Sequence, residues 1–530
     1  MKYLMGIDFG TLSARAVVVD VTGKEISSAT YSYPHAVMTS MNGVDLPNGY
    51  ALQNPNDYLE ALSYVSRESI RRAGVDNSDI VGVGVDFTSS TVLAVDETDT
   101  PLCNKDEFSK NPHAYAKLWK HHGAEGYATI MENLATERDE KWLKRYGGKL
   151  SCEFALCKIV ETLKEAPDVY NATARFVEGG DWIASKLTGK KVHSCVFCGY
   201  KWCWSDSFGY PSNEYFMAVD ERLNDVVGSK IPEKVDGEIK QGVISTEGAI
   251  LTGLKEGTPV SMPIIDAHVA LPAVGVVDEG DLMLIIGTSG CQILHSKKEV
   301  DIEGVFGYVK DGIVNGLYTY EAGQSAVGDI FEWVVNTCVS NSYKEEAKSR
   351  GVNIHKLLRE KAKKLKVGQS GLIALDWLNG NRSILQNPRL KGAIYGLTLN
   401  TKPEEIYRAF IEATAFGVRV ILDSFYKAGI KIDRIVAGGG IAVKDDMLMQ
   451  IYADVLNKPI EIAPTTQAGA LGSAIYGAVA GGLYPDIESA SKAMAGKSNL
   501  IYTPNPDDVK AYEVLYNEYK SLHDYFGKNR

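Results

Sequence analysis

Residues 5–20, MGIDFGTLSARAVVVD, read as a buried strand, a polar Gly-Thr corner and a second buried strand. Asp8 is set into the end of the first strand, and a carboxylate in so apolar a setting needs a partner or a task. The pattern returns at LMLIIGTSGCQIL (282–294), again strand, Gly-Thr-Ser turn, strand. One such hairpin is ordinary turn chemistry. Two at domain-scale spacing read as an internal repeat and predict two similar α/β domains with a cleft between them.

Length agrees with that reading. A chain of 530 residues exceeds the size at which one core stops growing, so two domains of roughly 200 to 280 residues are expected. We place an N-terminal domain at 1–275, with a polar, aromatic-rich insertion at about 100–225, a C-terminal domain at 276–490 and a helical tail at 491–530. Helices are expected at 113–122, 151–164 and 178–187 in the insertion. Further helices are expected at 322–339, 402–428, 444–456 and 467–481, and in the tail from 507.

Composition narrows the class. With 45% hydrophobic and 23% charged residues the chain is globular rather than disordered or coiled-coil. Its 56 Lys and Arg against 67 Asp and Glu, a net charge of −11, offer no footprint for nucleic acid or anionic lipid, so an anionic ligand must be captured locally. No apolar run reaches membrane-spanning length and the opening residues do not read as a leader, which predicts a cytoplasmic enzyme. The 8 cysteines form no paired framework, and Cys195-x-x-Cys198 lacks a second pair, so packing thiols are expected rather than a metal site. His121 and His122, adjacent on an expected helix, would not face one site.

Glycine corners let backbone N–H groups approach phosphate oxygens, and Thr or Ser hydroxyls add donors, so the two hairpins suit a triphosphate. Asp8 beside bare phosphates would be repelled, but beside Mg²⁺ on those phosphates it is favoured. Neither the P-loop nor the dinucleotide-binding glycine fingerprint occurs. AGGGIA (437–442) follows a strand and precedes a helix, which suits either an adenosine against backbone or close strand–helix packing. Asp266 in IIDAHVA ends an apolar run at the domain border and reads as a general base or as a helix cap. Lys201 in GYKWCWSD and Glu321 in YEAGQSAVGD sit among aromatic or small residues, the composition of a sugar pocket; the plainer reading of each is a surface charge.

At these residues the chain resembles the FGGY-type carbohydrate kinases, over nearly its whole length from GIDFGTLSARA to the helix at 467–481. Specific stretches are GVGVDFTSST (82–91), NPHAYAKLWKHH (111–122), IIDAHV, IIGTSGC, YEAGQSAVGDIFEW (320–333), ALDWLNGNR (374–382) and EATAFGVR (412–419). The resemblance implies an actin-like fold, two ribonuclease-H-like ATPase domains closing on ATP and sugar. Carried over by position, Asp266 matches the family's catalytic aspartate and Asp8 the acidic residue beside the metal. Thr11, Ser13 and Arg15 match the first phosphate loop, Gly287, Thr288 and Ser289 the second, and Gly439 and Gly440 the adenosine motif. Ser89, Lys201 and Glu321 match sugar-pocket positions of the members that act on L-ribulose.

The implied activity is ATP- and Mg²⁺-dependent phosphorylation of L-ribulose to L-ribulose 5-phosphate, a step of L-arabinose catabolism, with Asp266 taking the 5-hydroxyl proton. A kinase for another ketopentose or a polyol (a ribulose epimer, xylulose, ribitol) is the alternative, and an actin- or Hsp70-like ATP-driven protein-binding switch is a remote one. A small-molecule ketopentose is the expected partner, with no nucleic acid and no membrane; a homodimer stays open. Two positions depart from the family pattern: Lys444 and Asp445 follow the adenosine glycines where an Asn is usual, and Phe410 replaces a smaller residue, a change expected to concern packing.

Overall fold

The computed structural model describes residues 1–465 and 467–528. The chain forms two compact units: Met1–Val277 with Gly307–Thr319 and Gln467–Gly496, and Asp278–Phe306 with Tyr320–Thr466 and Lys497–Arg530.

In the first unit, β1 (Tyr3–Phe9) and β2 (Ser13–Asp20) form the hairpin of the opening stretch, and β3 (Glu25–Ser32) pairs antiparallel to β2. β4 (Ile80–Phe87) joins β1 in parallel, and β5 (Pro259–Ser261) and β6 (Ile264–Ile265) both pair parallel to β4. These strands therefore run β5-β4-β1-β2-β3 within the sheet, with the strand Lys240–Val243 paired antiparallel outside β5. The helix Pro55–Ala73 starts on an Asn54 side chain that accepts from Asn56 N–H and stops at Gly74 in the left-handed region, a capped segment between strands.

The helix Ala468–Ala480 brings the late chain back to this early sheet. Its backbone lies directly on glycines: a Cβ at Gly6 would stand 1.8 Å from the Ala470 carbonyl oxygen, and one at Gly84 1.7 Å from that of Ser473. Gly6 and Gly84 are register partners on β1 and β4, so one pair of missing side chains makes the seat. Small residues on both sides are what the contact demands.

The polar stretch beyond β4 folds within the first unit around a core of its own. Leu102, Met131, Trp142, Phe154, Trp202 and Tyr215 are buried together there, beside a four-stranded sheet of short strands. The helices Ala155–Glu165 and Gly179–Thr188 form as their apolar periodicity predicts. No helix spans 113–122. Asn111 caps a single turn at Pro112–Ala114 and Ala116–Lys117 is a strand, because Lys117 and His121 turn inward onto the buried Glu161 at 2.6 Å and 2.9 Å.

The second unit repeats the first. β7 (Asp281–Ile286) and β8 (Gly290–Ser296) form a hairpin, β9 (Tyr318–Gln324) lies beyond β8, and β10 (Arg434–Gly438) and β11 (Ile460–Ile462) extend the sheet from β7 in parallel. The order β9-β8-β7-β10-β11 mirrors β3-β2-β1-β4-β5. The segment 322–339 is not one helix: β9 runs to Gln324 and the helix is Gly328–Thr337, because Gln324 is buried and donates to Asp376 at 2.8 Å and to the Thr414 carbonyl at 2.9 Å. Helices Pro403–Lys427, Asp446–Leu456 and Pro506–Lys528 complete the unit. Phe410 is buried and meets the edge of Trp333, a packing role.

Candidate active site

Three acidic residues gather at one end of the first sheet. Asp8 and Asp86 are register partners on β1 and β4, and Ile264 of β6 is the next residue in that row, with Asp266 two positions on as the first residue of the helix Asp266–Ala273. All three strands run parallel, so the carboxylates lie at their C-terminal ends, where open α/β sheets bind ligands. Asp86 is fully buried; its Oδ2 accepts from Ser473 Oγ at 2.6 Å and its Oδ1 has no donor among the described residues. Burial, then the charge of Asp8, drives the Asp86 carboxyl well above the carboxylate range, with Asp266 adding to the rise. Burial also raises Asp8, against the opposing effects of Asp86 and Arg15.

The surroundings of Asp8 supply positive potential. Arg15 is its cross-strand partner on β2, held by Thr30 Oγ1 at 3.2 Å and by Gln467. Gly469, in the first turn of the helix Ala468–Ala480, comes so close that a Cβ there would be 2.9 Å from Asp8 Oδ2. Two adjacent carboxylates, one with an orphaned oxygen, are the donor set of a hard divalent cation, so the residues fit Mg²⁺.

The glycine hairpins have the same local build. Gly10 N–H donates to the Ser13 carbonyl at 3.0 Å in the first, and Gly287 N–H to the Ser289 carbonyl at 3.0 Å in the second. Thr11 and Ser13 are half-buried; Thr11 Oγ1 accepts from Trp119 Nε1 at 3.2 Å. Thr288 and Ser289 are exposed, and Gly328 N–H donates to the Gly287 carbonyl at 3.0 Å, which ties the second hairpin to the start of the helix Gly328–Thr337.

Gly439 and Gly440 divide in role. Gly439 has φ +95° and a Cβ there would lie 2.4 Å from the Ile286 carbonyl oxygen, so strand–helix packing requires it. A Cβ at Gly440 would meet nothing within 4 Å, and the residue is exposed. Asp445 is a helix cap, accepting from Leu448 N–H at 3.0 Å and pairing with Arg359 at 3.0 Å, while Lys444 is exposed.

Lys201 and Glu321 are not surface charges. Lys201 is 3% exposed at the end of the helix Cys195–Lys201, its Nζ 5.9 Å from the Phe154 ring centroid. Glu321 is 5% exposed in β9 and pairs with Arg382 at 3.2 Å. Ser89 is half-buried in the loop after β4, where Thr88 and Thr91 hydroxyls lie 2.9 Å apart. Asp266 is half-buried and accepts from Ala267 N–H at 2.7 Å; as the first helical residue, after Ile265 at the cap position, it makes no side-chain cap, so the helix-cap reading does not hold.

Sequence reading missed Asp86, Ser473 and Gln467. The signal for Asp86 was present: GIDF at 6–9 and GVDF at 84–87 are the same strand end written twice, and parallel pairing puts their aspartates side by side. Ser473 and Gln467 carry no local mark, because they reach the site only through the late helix. Burial pushes the Cys195 thiol up to about 12 and Cys198 well above the thiol range, so neither offers a thiolate.

Comparison with known proteins gives the same picture. Residues 3–273 match the N-terminal domain of the FGGY family of carbohydrate kinases, and residues 282–481 its C-terminal domain. The chain is 46% identical over 537 residues to a ribulokinase of Halalkalibacterium halodurans, covering 99% of this chain and 95% of that one. It is 45% identical over 535 residues to a ribulokinase of Geobacillus thermodenitrificans, with the same coverage. Among solved structures it is similar to a xylulose kinase from Rhodospirillum rubrum, with a TM-score of 0.81, 22% identity and 99% of each chain covered, a likeness of fold. Repeat, acidic corner and full-length similarity agree, and the chain belongs to the FGGY family of carbohydrate kinases.

Proposed function

We propose that the protein transfers the γ-phosphoryl group of ATP to the 5-hydroxyl of L-ribulose, giving L-ribulose 5-phosphate and ADP. The observation that carries this reading is the acidic corner of Asp8, Asp86 and Asp266 in a chain 45% identical, over 99% of its length, to a ribulokinase. Asp8 and Asp86 would hold Mg²⁺, which when bound offsets phosphate charge. The Gly-Thr hairpins would present backbone N–H groups and hydroxyls to phosphate oxygens, Arg15 would add charge on the Asp8 side, and Gly440 would leave room for the nucleoside.

Asp266 is the general base. As O5 of the sugar attacks the γ-phosphorus, the O5–H bond breaks toward the Asp266 carboxylate, the O5–P bond forms, and the bond from phosphorus to the β,γ-bridging oxygen breaks with its electrons leaving on ADP. Lys201, Glu321 and Ser89 would recognise the sugar hydroxyls. Buried charges suit that task, because a substrate lacking the matching hydroxyl leaves them unpaired. We read the protein as a cytoplasmic enzyme; no helix among the described residues is long and apolar enough to cross a membrane.

The test is ADP release by the purified protein with L-ribulose, D-ribulose, D-xylulose, L-xylulose and ribitol. L-Ribulose should give the highest kcat/KM. A higher value with another compound would replace the substrate, and ATP hydrolysis indifferent to every sugar would overturn the kinase reading.

A further inference from the structure

Glu178 ends the short strand Arg175–Glu178 and is fully buried. Its two oxygens are engaged by different parts of the chain. Oε2 accepts from Thr91 N–H at 3.0 Å, and Oε1 accepts from Trp202 Nε1–H at 2.7 Å. Thr91 closes the loop that holds Ser89, and Trp202 directly follows Lys201. One carboxylate therefore joins two segments that carry candidate sugar-binding residues.

The same loop is held from its other side. Ser90 is buried in the left-handed region with φ +55°, a conformation that a non-glycine residue keeps only when its surroundings enforce it. Its hydroxyl donates to the Glu153 carbonyl. Lys158, fully buried on the helix Ala155–Glu165, donates from Nζ to the Ser90 carbonyl at 2.6 Å and to the Leu118 carbonyl at 2.7 Å. Burial lowers Lys158 to about 8, opposed first by the charge of Glu178, and raises Glu178 to about 7, opposed by the Trp202 bond and by Lys158. Two buried groups of opposite charge add little net stability over apolar packing, whereas their directed hydrogen bonds fix geometry.

We propose that Glu178 and Lys158 are positioning residues of the sugar site, clamping the Thr88–Thr91 loop from two sides and tying it, through Trp202, to the end of the helix that presents Lys201. Neither residue touches the reacting atoms. The inference rests on the sugar-kinase reading above.

Steady-state kinetics with sugar and ATP varied in turn, together with thermal melting, test it on Glu178→Gln, Trp202→Phe and the double variant. Glutamine offers a single acceptor oxygen and turns an NH₂ group toward one of the two donors. Glu178→Gln should therefore raise the KM for L-ribulose by about tenfold, with the KM for ATP within about twofold of the unaltered protein. Trp202→Phe removes one donor and should raise the sugar KM alone, by about threefold or more. In the double variant the amide oxygen is free to serve Thr91 N–H, so the sugar KM should return to that of Trp202→Phe, a rescue that lost stability does not produce. A sugar KM within about twofold of normal in Trp202→Phe, or equal rises for sugar and ATP, overturns the proposal even where Glu178→Gln fails to fold. Absence of L-ribulose turnover by the unaltered protein instead overturns the function, and this proposal with it.

Discussion

Asp8 and Asp86 are register partners on adjacent parallel strands, so two carboxylates occupy one row of the first sheet, with Asp86 fully buried. The charge of Asp8 opposes ionisation of the buried Asp86, and a divalent cation beside the pair would remove that conflict. Asp8→Ala should therefore raise the Mg²⁺ concentration needed for half-maximal rate and lower kcat, with the KM for L-ribulose little changed. Superimposable Mg²⁺ titrations of variant and unaltered protein would return Asp8 to a structural part in the hairpin.

Lys201 and Glu321 are buried charges that we propose bind the sugar. Each change to Ala should reduce kcat/KM for L-ribulose by roughly ten- to a hundredfold, the loss of a hydrogen bond to a charged group, and move the KM for ATP much less. An effect mainly on the KM for ATP would assign them to the nucleotide instead.

The seat of the late helix predicts a contrast between two glycines. Gly84→Ala drives a Cβ to 1.7 Å from the Ser473 carbonyl oxygen, backbone against backbone, and should cost about 3 kcal/mol or more. Gly126→Ala, exposed in the helix Glu125–Glu137 with nothing within 4 Å of the added Cβ, should stabilise by about 0.5–1 kcal/mol. Chemical denaturation of both variants checks the pair, and equal effects would contradict the packing described.

Asp376 gives a pH dependence of known sign. It is buried, accepts from Gln324 Nε2 at 2.8 Å and Tyr519 OH at 3.0 Å, and burial lifts its carboxyl from 3.8 to about 6 against those bonds. The folded protein thus holds this proton more tightly than the unfolded chain. That contribution is complete below about pH 4 and is lost as pH rises through about 6. Asp376→Asn, which cannot ionise, should gain roughly 1–3 kcal/mol on the unaltered protein between pH 4 and pH 7. Denaturant unfolding at both pH values measures it, and a difference constant with pH would contradict the assignment.

Much of this was legible in the chain. The two Gly-Thr hairpins announced the repeated unit, and Asp8 and Asp266 announced themselves as carboxylates closing apolar strands. The burial of Lys201 and Glu321 is not legible in the chain, because a charge among aromatic or small residues reads alike at the surface and in a pocket until the fold buries it. The stretch 113–122 has a helix-like local pattern but forms no helix, because its inward-facing Lys117 and His121 meet Glu161, some 40 residues on, and no local pattern encodes that partner. Ser473 reaches Asp86 across 387 residues of sequence for the same reason.

The most direct test of the central claim is kcat for Asp266→Asn with L-ribulose and saturating MgATP. Asn keeps the shape and an acceptor for Ala267 N–H but cannot take the 5-hydroxyl proton. Loss of a positioned general base should lower kcat by about 10² to 10⁴ while ATP affinity and the melting temperature stay near those of the unaltered protein. A folded Asp266→Asn protein that keeps more than about a tenth of the unaltered kcat would contradict the account.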